Sequence, residues 1–358
     1  MRNIILHLSL IKDIGPATIM TLLERLPHGV DLYACSVRDL EHYIGFSATK
    51  AASIVDGLAN MRLLEQELVL IEKHAVSWVT FQDAHFPPLL NTIAVPPAVL
   101  YYQGSSLDNY KDCFAVVGSR DATAYAHRAI EHIVPDLLAQ HWTIVSGGAR
   151  GVDTMAHQSA LLYQGKTIAV LGSGLLCPYP TSNKKLFADI VAKGGALVSP
   201  FPLQMEPLAG NFPARNRIIS GLSKGCLVVQ AAAKSGALIT GHYALEQGRE
   251  VFALPGQFDD PLSAGCHTLL KEGAKLVTAS KDILEEFGIH QGTKPVLSVK
   301  KLPNEAEDPI IKACTQPQSL HEIHAITGIS IDNLQLKMFE LQIEGRLQQN
   351  FAGLWEKV

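Results

Sequence analysis

The chain has 358 residues, of which 47% are hydrophobic and 18% charged, and its formal net charge is −4. This composition excludes a wholly disordered chain, and the charge excludes a global basic field for nucleic acid, so any polyanion site must be a local patch. At about 150 residues per domain, the length favours about two domains.

Residues 1–74 are predicted to form a small helical domain of the SAM-like or helix-hairpin-helix-like type. A weak repeat places Ile14-Gly15-Pro16 and Ile44-Gly45-Phe46-Ser47 before helical patterns. In helix-hairpin-helix units, such glycine turns can direct amides at a phosphate. A helical bundle that merely needs turns gives the same repeat, and the net charge of −4 over residues 1–109 favours this second interpretation. A bridging segment, residues 75–110, follows.

Residues 111–290 alternate apolar β-rich runs with stretches long enough for crossover helices, such as 124–140 and 152–163. Continuous apolar strands that alternate with helices indicate a parallel sheet covered on both faces. We therefore predict an α/β fold with an extended Rossmann-like, doubly wound, mainly parallel sheet. The predicted strands are Cys113–Val117, Thr143–Val145, Thr167–Leu171, Ala196–Val198, Cys226–Val229, Glu250–Leu254 and Lys275–Thr278.

Small residues collect after these predicted strands, at the edge where open α/β sheets bind ligands. The first strand is followed by Gly118, Ser119 and Arg120. The second is followed by Ser146-Gly147-Gly148-Ala149-Arg150-Gly151. Glycine lets the backbone approach a ligand, and the next helix offers free amides to a phosphate. Short glycine-rich loops also occur without ligands, but several on one edge, two of them with arginine, favour a polyanion or nucleotide.

A second basic group lies at 211–223, where Pro213 is predicted to begin a helix that carries Arg215, Asn216 and Arg217. Arginine is disfavoured beside the positive end of a helix. Two arginines there indicate an external anion. Phe212 precedes the predicted helix and is either a hydrophobic staple into the core or a platform on which a base stacks.

The sequence offers no catalytic, metal or cofactor site. No P-loop pattern follows a strand, and the dinucleotide pattern that starts at Gly172-Ser173-Gly174 is incomplete. The G-x-S-x-G pattern of a nucleophile elbow occurs at Gly221-Leu222-Ser223-Lys224-Gly225. A nucleophile elbow joins a strand to a following helix, whereas this segment follows a predicted helix and precedes a strand. The scattered cysteines favour a reducing cytoplasm, and no apolar run is long enough to span a membrane.

A linker, residues 291–303, precedes a winged-helix-like unit over residues 304–358. This unit reads as three helices and a β-pair. Its third helix carries a net charge of −2, which is the wrong sign for a DNA groove. We therefore expect the unit to contact protein, although its fold pattern alone would indicate DNA. The charged residues of that helix are Asp332, Lys337, Glu340 and Glu344.

Together these motifs resemble the bacterial DNA-processing protein A (DprA/Smf) family. The resemblance covers the whole middle region, and the flanking units match the longer members. The sequence departs from the family pattern at four positions. Pro200 and Gln230 stand where the family usually has glutamate, Gly148 replaces a bulkier residue, and His267 stands where asparagine is usual. The matching motifs are Gly118–Arg120, Ser146–Asp153, Tyr179-Pro180, Phe212–Gly221, Ser235–Thr240 and Val251–Gly256.

The resemblance implies a cytoplasmic homodimer that is not an enzyme, binds single-stranded DNA and loads RecA recombinase during natural transformation. The DNA contacts expected from it and from the loops are Gly118, Ser119, Arg120, Ser146, Gly147, Gly148, Arg150, Gly151, Phe212, Arg215, Asn216 and Arg217.

Two other functions remain open. One is a nucleotide-processing enzyme of the phosphoribohydrolase type on a related fold, although Gln257-Phe258 after Pro255-Gly256 breaks its motif. The other is a regulatory adaptor whose terminal domains do the binding.

Overall fold

The computed structural model describes residues 1–27, 29–290, 308–314, 316–343, 347–350 and 353–357. The chain divides near residue 297 into two compact units. The predicted linker, residues 291–303, and Glu344 lie outside the described residues. None of the helices in the described ranges combines the length and apolarity needed to cross a membrane.

The first unit begins with five α-helices, two of which start at a serine cap. Ser36 and Asp39 form a capping box at the start of α3, and Gly45 ends that helix with φ 82°. Ser47 caps the next helix through the Lys50 amide. The helices are α1 (Arg2–Leu10), α2 (Pro16–Arg25), α3 (Val37–Ile44), α4 (Ala48–Ala59) and α5 (Met61–Lys73).

Nine strands within the described residues form one mixed sheet. They are β1 (Ser77–Thr80), β2 (Val99–Gly104), β3 (Cys113–Val117), β4 (Thr143–Ser146), β5 (Thr167–Val170), β6 (Ala196–Ser199), β7 (Gly225–Val228), β8 (Glu250–Ala253) and β9 (Lys275–Leu276). Their order is β1-β2-β6-β5-β4-β3-β7-β8-β9. Strands β3 to β9 pair in parallel, and β2 is antiparallel to both its neighbours.

The predicted α/β class and the mainly parallel sheet are confirmed, and the seven strands predicted in the middle region lie within two residues of their observed ends. The bridging segment, residues 75–110, contributes β1 and β2 to the sheet. The N-terminal helices pack on the same sheet, so residues 1–290 belong to one compact unit.

Helices cover both faces of the sheet. Alternate residues of β3 point to opposite faces. Ala115 and Val117 share a core with α10 and α11, whereas Phe114 and Val116 share one with α7 and α8. The helices after α5 are α6 (Pro88–Asn91), α7 (Ala124–Ala139), α8 (Val152–Leu162), α9 (Lys184–Ala192), α10 (Asn211–Leu222), α11 (Gly236–Glu246), α12 (Ala264–Lys271) and α13 (Ser280–Glu286).

The strand order reverses between β3 and β7. From β3 the chain proceeds through β4, β5 and β6 on one side, and from β7 it proceeds through β8 and β9 on the other. The loops after β3 and β7 therefore diverge and leave a crevice at the carboxyl edge of the sheet, which is where open α/β sheets bind ligands.

The second unit has its own small core, which includes Ile310, Ile323, Leu334 and Leu347. It contains the three helices and the β-pair that the sequence predicts. They are α14 (Pro309–Ala313), α15 (Leu320–Thr327), α16 (Ile331–Ile343), β10 (Leu347–Gln349) and β11 (Trp355–Lys357).

Candidate nucleic-acid interface

A groove with a cavity of about 570 Å³ opens at the reversal point between β3 and β7. This volume is in the range of ordinary ligand sites. Three walls enclose it: the loop after β3, the start of α10 and the start of α11. Six of the predicted site residues line it, namely Gly118, Ser119, Arg120, Phe212, Arg215 and Asn216.

The loop after β3 is held in place by its backbone. The Ser119 amide donates to the Gln230 carbonyl oxygen at 2.7 Å, and the Ser119 carbonyl oxygen accepts from the Val152 amide at 3.1 Å. The Gln230 side chain also accepts from the Thr123 amide at 3.0 Å. Arg120 itself remains exposed, so a fixed loop presents a guanidinium to solvent at the mouth of the groove.

Arg120 lies over an aromatic surface. Its guanidinium carbon is 5.8 Å from the centroid of the Phe212 ring, within cation–π range. Phe212 is half-buried, and its ring packs so closely on Gly172 that a Cβ there would lie 2.6 Å from a ring carbon. Because α10 begins at Asn211 and not at the predicted Pro213, Phe212 lies inside the helix and is not a staple residue before it. Its ring lines the groove, and its stacking on a base stays a prediction.

Tyr179 extends this aromatic surface. From the sequence it was recognised only as part of the Tyr179-Pro180 motif and not as a site residue. Its ring centroid is 5.8 Å from that of Phe212, and the side chain is 45% exposed. Its position in the loop after β5, at the same carboxyl edge of the sheet, is the sequence feature that could have indicated a site residue. Tyr179 is beside the groove and not part of its lining, whereas Ser235, Gly236, Ile239 and Thr240 of the α11 wall line it and were not among the predicted site residues.

Arg215 is a buried brace and not an exposed phosphate contact. It is 4% exposed, and its guanidinium donates to the carbonyl oxygens of Gly147 and Val170, which follow β4 and end β5. Burial lowers the pKa of Arg215 to about 10, and Asp153 opposes that shift. The sequence placed Arg215 on a helix start, but it could not show that the side chain turns inward to join two strand ends.

Asp153 holds the glycine loop after β4. Its carboxylate accepts from the amides of Gly147 at 3.1 Å and Ala149 at 3.3 Å, which precede α8. Burial raises the pKa of Asp153, while Arg215 and these amides lower it.

The glycines of this loop serve packing. Gly151 has φ 76°, and a Cβ there would lie 2.2 Å from the Ser119 carbonyl oxygen, so the two loops touch backbone to backbone. The Gly148 carbonyl oxygen accepts from Asn183 at 3.0 Å. The Ser146 hydroxyl donates to the Val116 carbonyl oxygen at 2.7 Å inside the sheet. Arg150 is exposed, but it is outside the groove lining.

The remaining predicted residues of α10 face different ways. Asn216 is buried and donates to the Gly236 carbonyl oxygen at 3.2 Å, which ties α10 to the start of α11. Arg217 is half-buried and donates to the Val95 carbonyl oxygen, away from the groove lining. Burial lowers the pKa of Arg217. Consecutive residues on a helix point about 100° apart, so the side chains of Arg215, Asn216 and Arg217 contact three different parts of the fold.

His267, which the sequence left unexplained, supports a loop beside the groove. Its Nε2 lies 3.1 Å from the Gly256 carbonyl oxygen. Gly256 follows β8, and the Leu262 of the same loop lines the groove. A structural hydrogen bond therefore accounts for this histidine.

Comparison with known proteins identifies relatives over most of the chain. The family model described as DNA recombination-mediator protein A matches residues 77–288. The Smf protein of Escherichia coli is 46% identical over 229 residues, which are 63% of this chain and 61% of that protein. The X-ray structure of DNA processing protein A from Streptococcus pneumoniae matches with TM-score 0.59 and 36% identity, and the match covers 77% of this chain and 99% of that one.

A second solved structure is that of DNA processing protein A from Helicobacter pylori, described for its single-stranded DNA binding mode. It matches with TM-score 0.53 and 28% identity, and the match covers 60% of this chain and 98% of that one.

Proposed function

The chain belongs to the DNA recombination-mediator protein A family, the family of the Smf and DprA proteins, and from this premise we propose that it binds single-stranded DNA in the groove between β3 and β7. The observation that carries the proposal is the exposed Arg120 above Phe212 at the point where the strand order reverses. The single-stranded DNA binding described for the Helicobacter pylori relative supports it.

Each wall of the groove supplies one kind of contact. Arg120 offers a guanidinium fork that suits a phosphate, and the start of α11 directs its positive dipole end at the same space. Phe212 and Tyr179 offer rings on which bases of any sequence can stack. Two aspartates, Asp121 and Asp153, also line the groove, so phosphate binding depends on these local contacts and not on a broad positive field.

Arg215, Arg217 and the loop at residues 146–151 have a different role in this proposal. They hold the walls in place, while Arg120 meets the ligand. Arg150, exposed near the same edge, is assigned a secondary contact with the phosphate backbone outside the cavity.

Titration of oligo-dT and a duplex of the same length, at several salt concentrations, tests the proposed binding. Single strands should bind more tightly, because bases stacked inside a duplex cannot reach the aromatic rings. The logarithm of affinity should fall by about 0.7 per phosphate neutralised for each unit of log salt. Equal binding of duplex and single strand would contradict the groove assignment.

We propose further that the protein acts as a cytoplasmic homodimer that loads RecA recombinase during natural transformation. The dimer and the loading of RecA are supported by the family alone. The reducing compartment is supported by the six cysteines, none of which forms a disulfide. Light scattering should give twice the mass of one chain. RecA should hydrolyse ATP faster on strands covered with single-strand-binding protein when the chain is added. The mass of a monomer would contradict the proposed homodimer. An unchanged rate of ATP hydrolysis would contradict the proposed loading of RecA.

The groove is proposed to bind without catalysis. Incubation with nucleoside monophosphates should release no free base, and release of base would favour the phosphoribohydrolase alternative.

The second unit is proposed to be a winged-helix domain that is dispensable for binding DNA. Residues 303–358 carry a net charge of −4, which repels a polyanion. A chain ending at Gly292 should keep most of its affinity for oligo-dT. Loss of binding by this shortened chain, with the first unit still folded by circular dichroism, would contradict the charge argument.

A further inference from the structure

Glu67 is a buried carboxylate that the groove itself does not use. It lies on the inner face of α5 between Leu64 and Ile71, and it is 6% exposed. Glutamate is almost never buried to this extent without a partner, because its charge loses hydration. Burial raises the pKa of Glu67, and hydrogen bonds from the Leu203 amide and the Tyr101 side chain oppose that rise. Its position therefore requires a structural reason.

The backbone partner of Glu67 belongs to the segment between β6 and α10. The Leu203 amide donates to Glu67 Oε1 at 2.8 Å, and Leu203 is completely buried. This contact spans 136 residues of sequence. It joins the N-terminal helices to the segment that leads into α10 and Phe212.

The same segment packs on the loop after β5. The Leu203 carbonyl oxygen accepts from the Leu176 amide at 2.9 Å, and the Met205 carbonyl oxygen accepts from the Gly174 amide at 2.8 Å. A Cβ on Gly174 would lie 2.2 Å from the Leu203 carbonyl oxygen. The two stretches are thus in direct backbone contact, and a shift of one must move the other.

Both stretches lead to the aromatic surface of the groove. The loop after β5 carries Gly172, on which Phe212 packs, and Tyr179, whose ring contacts Phe212. We propose that Glu67 is a positioning residue for the DNA groove: its carboxylate fixes the Leu203 amide and thereby sets the spacing of Phe212 and Tyr179. This inference rests on the proposed binding of single-stranded DNA.

Two substitutions at Glu67 and a matched control separate positioning from general stability. Glu67→Gln keeps a side-chain oxygen that can accept from the Leu203 amide, and Glu67→Ala leaves that buried amide without an acceptor. Leu64→Ala is the control, because it removes apolar packing from the same face of α5 and leaves the Leu203 contact intact. All three are compared with the parent chain.

The first measurement is hydrogen exchange at the amides of Leu203, Leu176 and Gly174. Glu67→Ala should exchange about tenfold faster there, since a buried donor without a partner opens more readily. Glu67→Gln and Leu64→Ala should keep the parent's protection relative to the rest of the sheet. Equal exchange in the parent and Glu67→Ala would overturn the inference, and so would a Gln variant as unprotected as the Ala variant.

The second measurement is affinity for oligo-dT. Glu67→Ala should bind about fivefold or more weakly, in proportion to the fraction of molecules with an ordered groove. Glu67→Gln and Leu64→Ala should bind like the parent. A loss in Leu64→Ala equal to that in Glu67→Ala would reduce Glu67 to a general stabiliser. If the parent itself does not bind oligo-dT, the proposed function fails, and exchange in the loop after β5 alone decides the positioning role.

Discussion

The loop after β3 and the first turns of α10 both carry arginine, yet the side chains lie in opposite environments. The first presents Arg120 to solvent above Phe212. The second buries Arg215 against the ends of β4 and β5 and turns Arg217 towards Val95. An arginine beside a candidate phosphate site is therefore either a ligand contact or a brace for the loops that make the site.

The brace should matter most to stability. Arg215→Ala removes two hydrogen bonds to carbonyl oxygens and leaves the buried Asp153 without its cation. Each buried acceptor left without a donor costs about 1–3 kcal/mol, so the two carbonyl oxygens together should cost about 3–5 kcal/mol in the free energy of unfolding. Urea denaturation of both chains measures it. A cost below about 1 kcal/mol would show that Arg215 is not a structural residue and would restore its assignment to DNA.

The ligand contact should show the reverse behaviour. Arg120→Ala removes an exposed guanidinium, so the free energy of unfolding should change by about 0.5 kcal/mol or less. Affinity for oligo-dT should fall by about 1.5–3 kcal/mol, and the salt slope should decrease by about 0.7. Fluorescence anisotropy at four salt concentrations measures both. An unchanged slope would mean that Arg120 meets no phosphate.

The aromatic surface should affect affinity without affecting charge. Tyr179→Ala should weaken binding of oligo-dT by about 1 kcal/mol, the lower end for a stacked base, and leave the salt slope unchanged. Tyr179→Phe keeps the ring and should bind like the parent. If the Phe variant loses as much as the Ala variant, the hydroxyl and not the ring makes the contact.

Arg217 gives the smallest expected effect on binding. Because its guanidinium donates to the Val95 carbonyl oxygen, Arg217→Ala should change affinity for oligo-dT by about 0.5 kcal/mol or less. The same titration that tests Arg120 serves here, with Arg217→Ala as its charge-matched control. A loss as large as that of Arg120→Ala would place DNA on the opposite side of α10.

The strands of the sheet were predicted well because each strand is marked by the residues of its own short segment. Runs such as Cys113–Val117 are apolar throughout, as strands covered on both faces must be. The joining of the N-terminal helices to the sheet was not predictable in the same way. It depends on apolar packing of these helices on residues such as Tyr101 and Leu197 and on the hydrogen bond between Glu67 and Leu203, and none of these residue types indicates a partner so distant in sequence.

The site was predicted to the level of its loops but not of its side chains. Gly118, Ser119, Arg120 and Phe212 line the groove as expected. Whether an arginine points outward or inward depends on which carbonyl oxygens tertiary packing leaves nearby, and periodicity carries no such information. Tyr179 was missed for a related reason, because its contact with Phe212 joins loops that lie apart in sequence.

Photo-cross-linking tests the central claim, that single-stranded DNA lies across the groove between β3 and β7, most directly. An oligo-dT in which single thymines are replaced by bromodeoxyuridine is irradiated with the full chain, and the linked peptides are identified by mass spectrometry. The account predicts cross-links at Phe212 and Tyr179, and their loss in the Arg120→Ala variant at moderate salt. Cross-links confined to residues 308–357, and unaffected by Arg120→Ala, would contradict it.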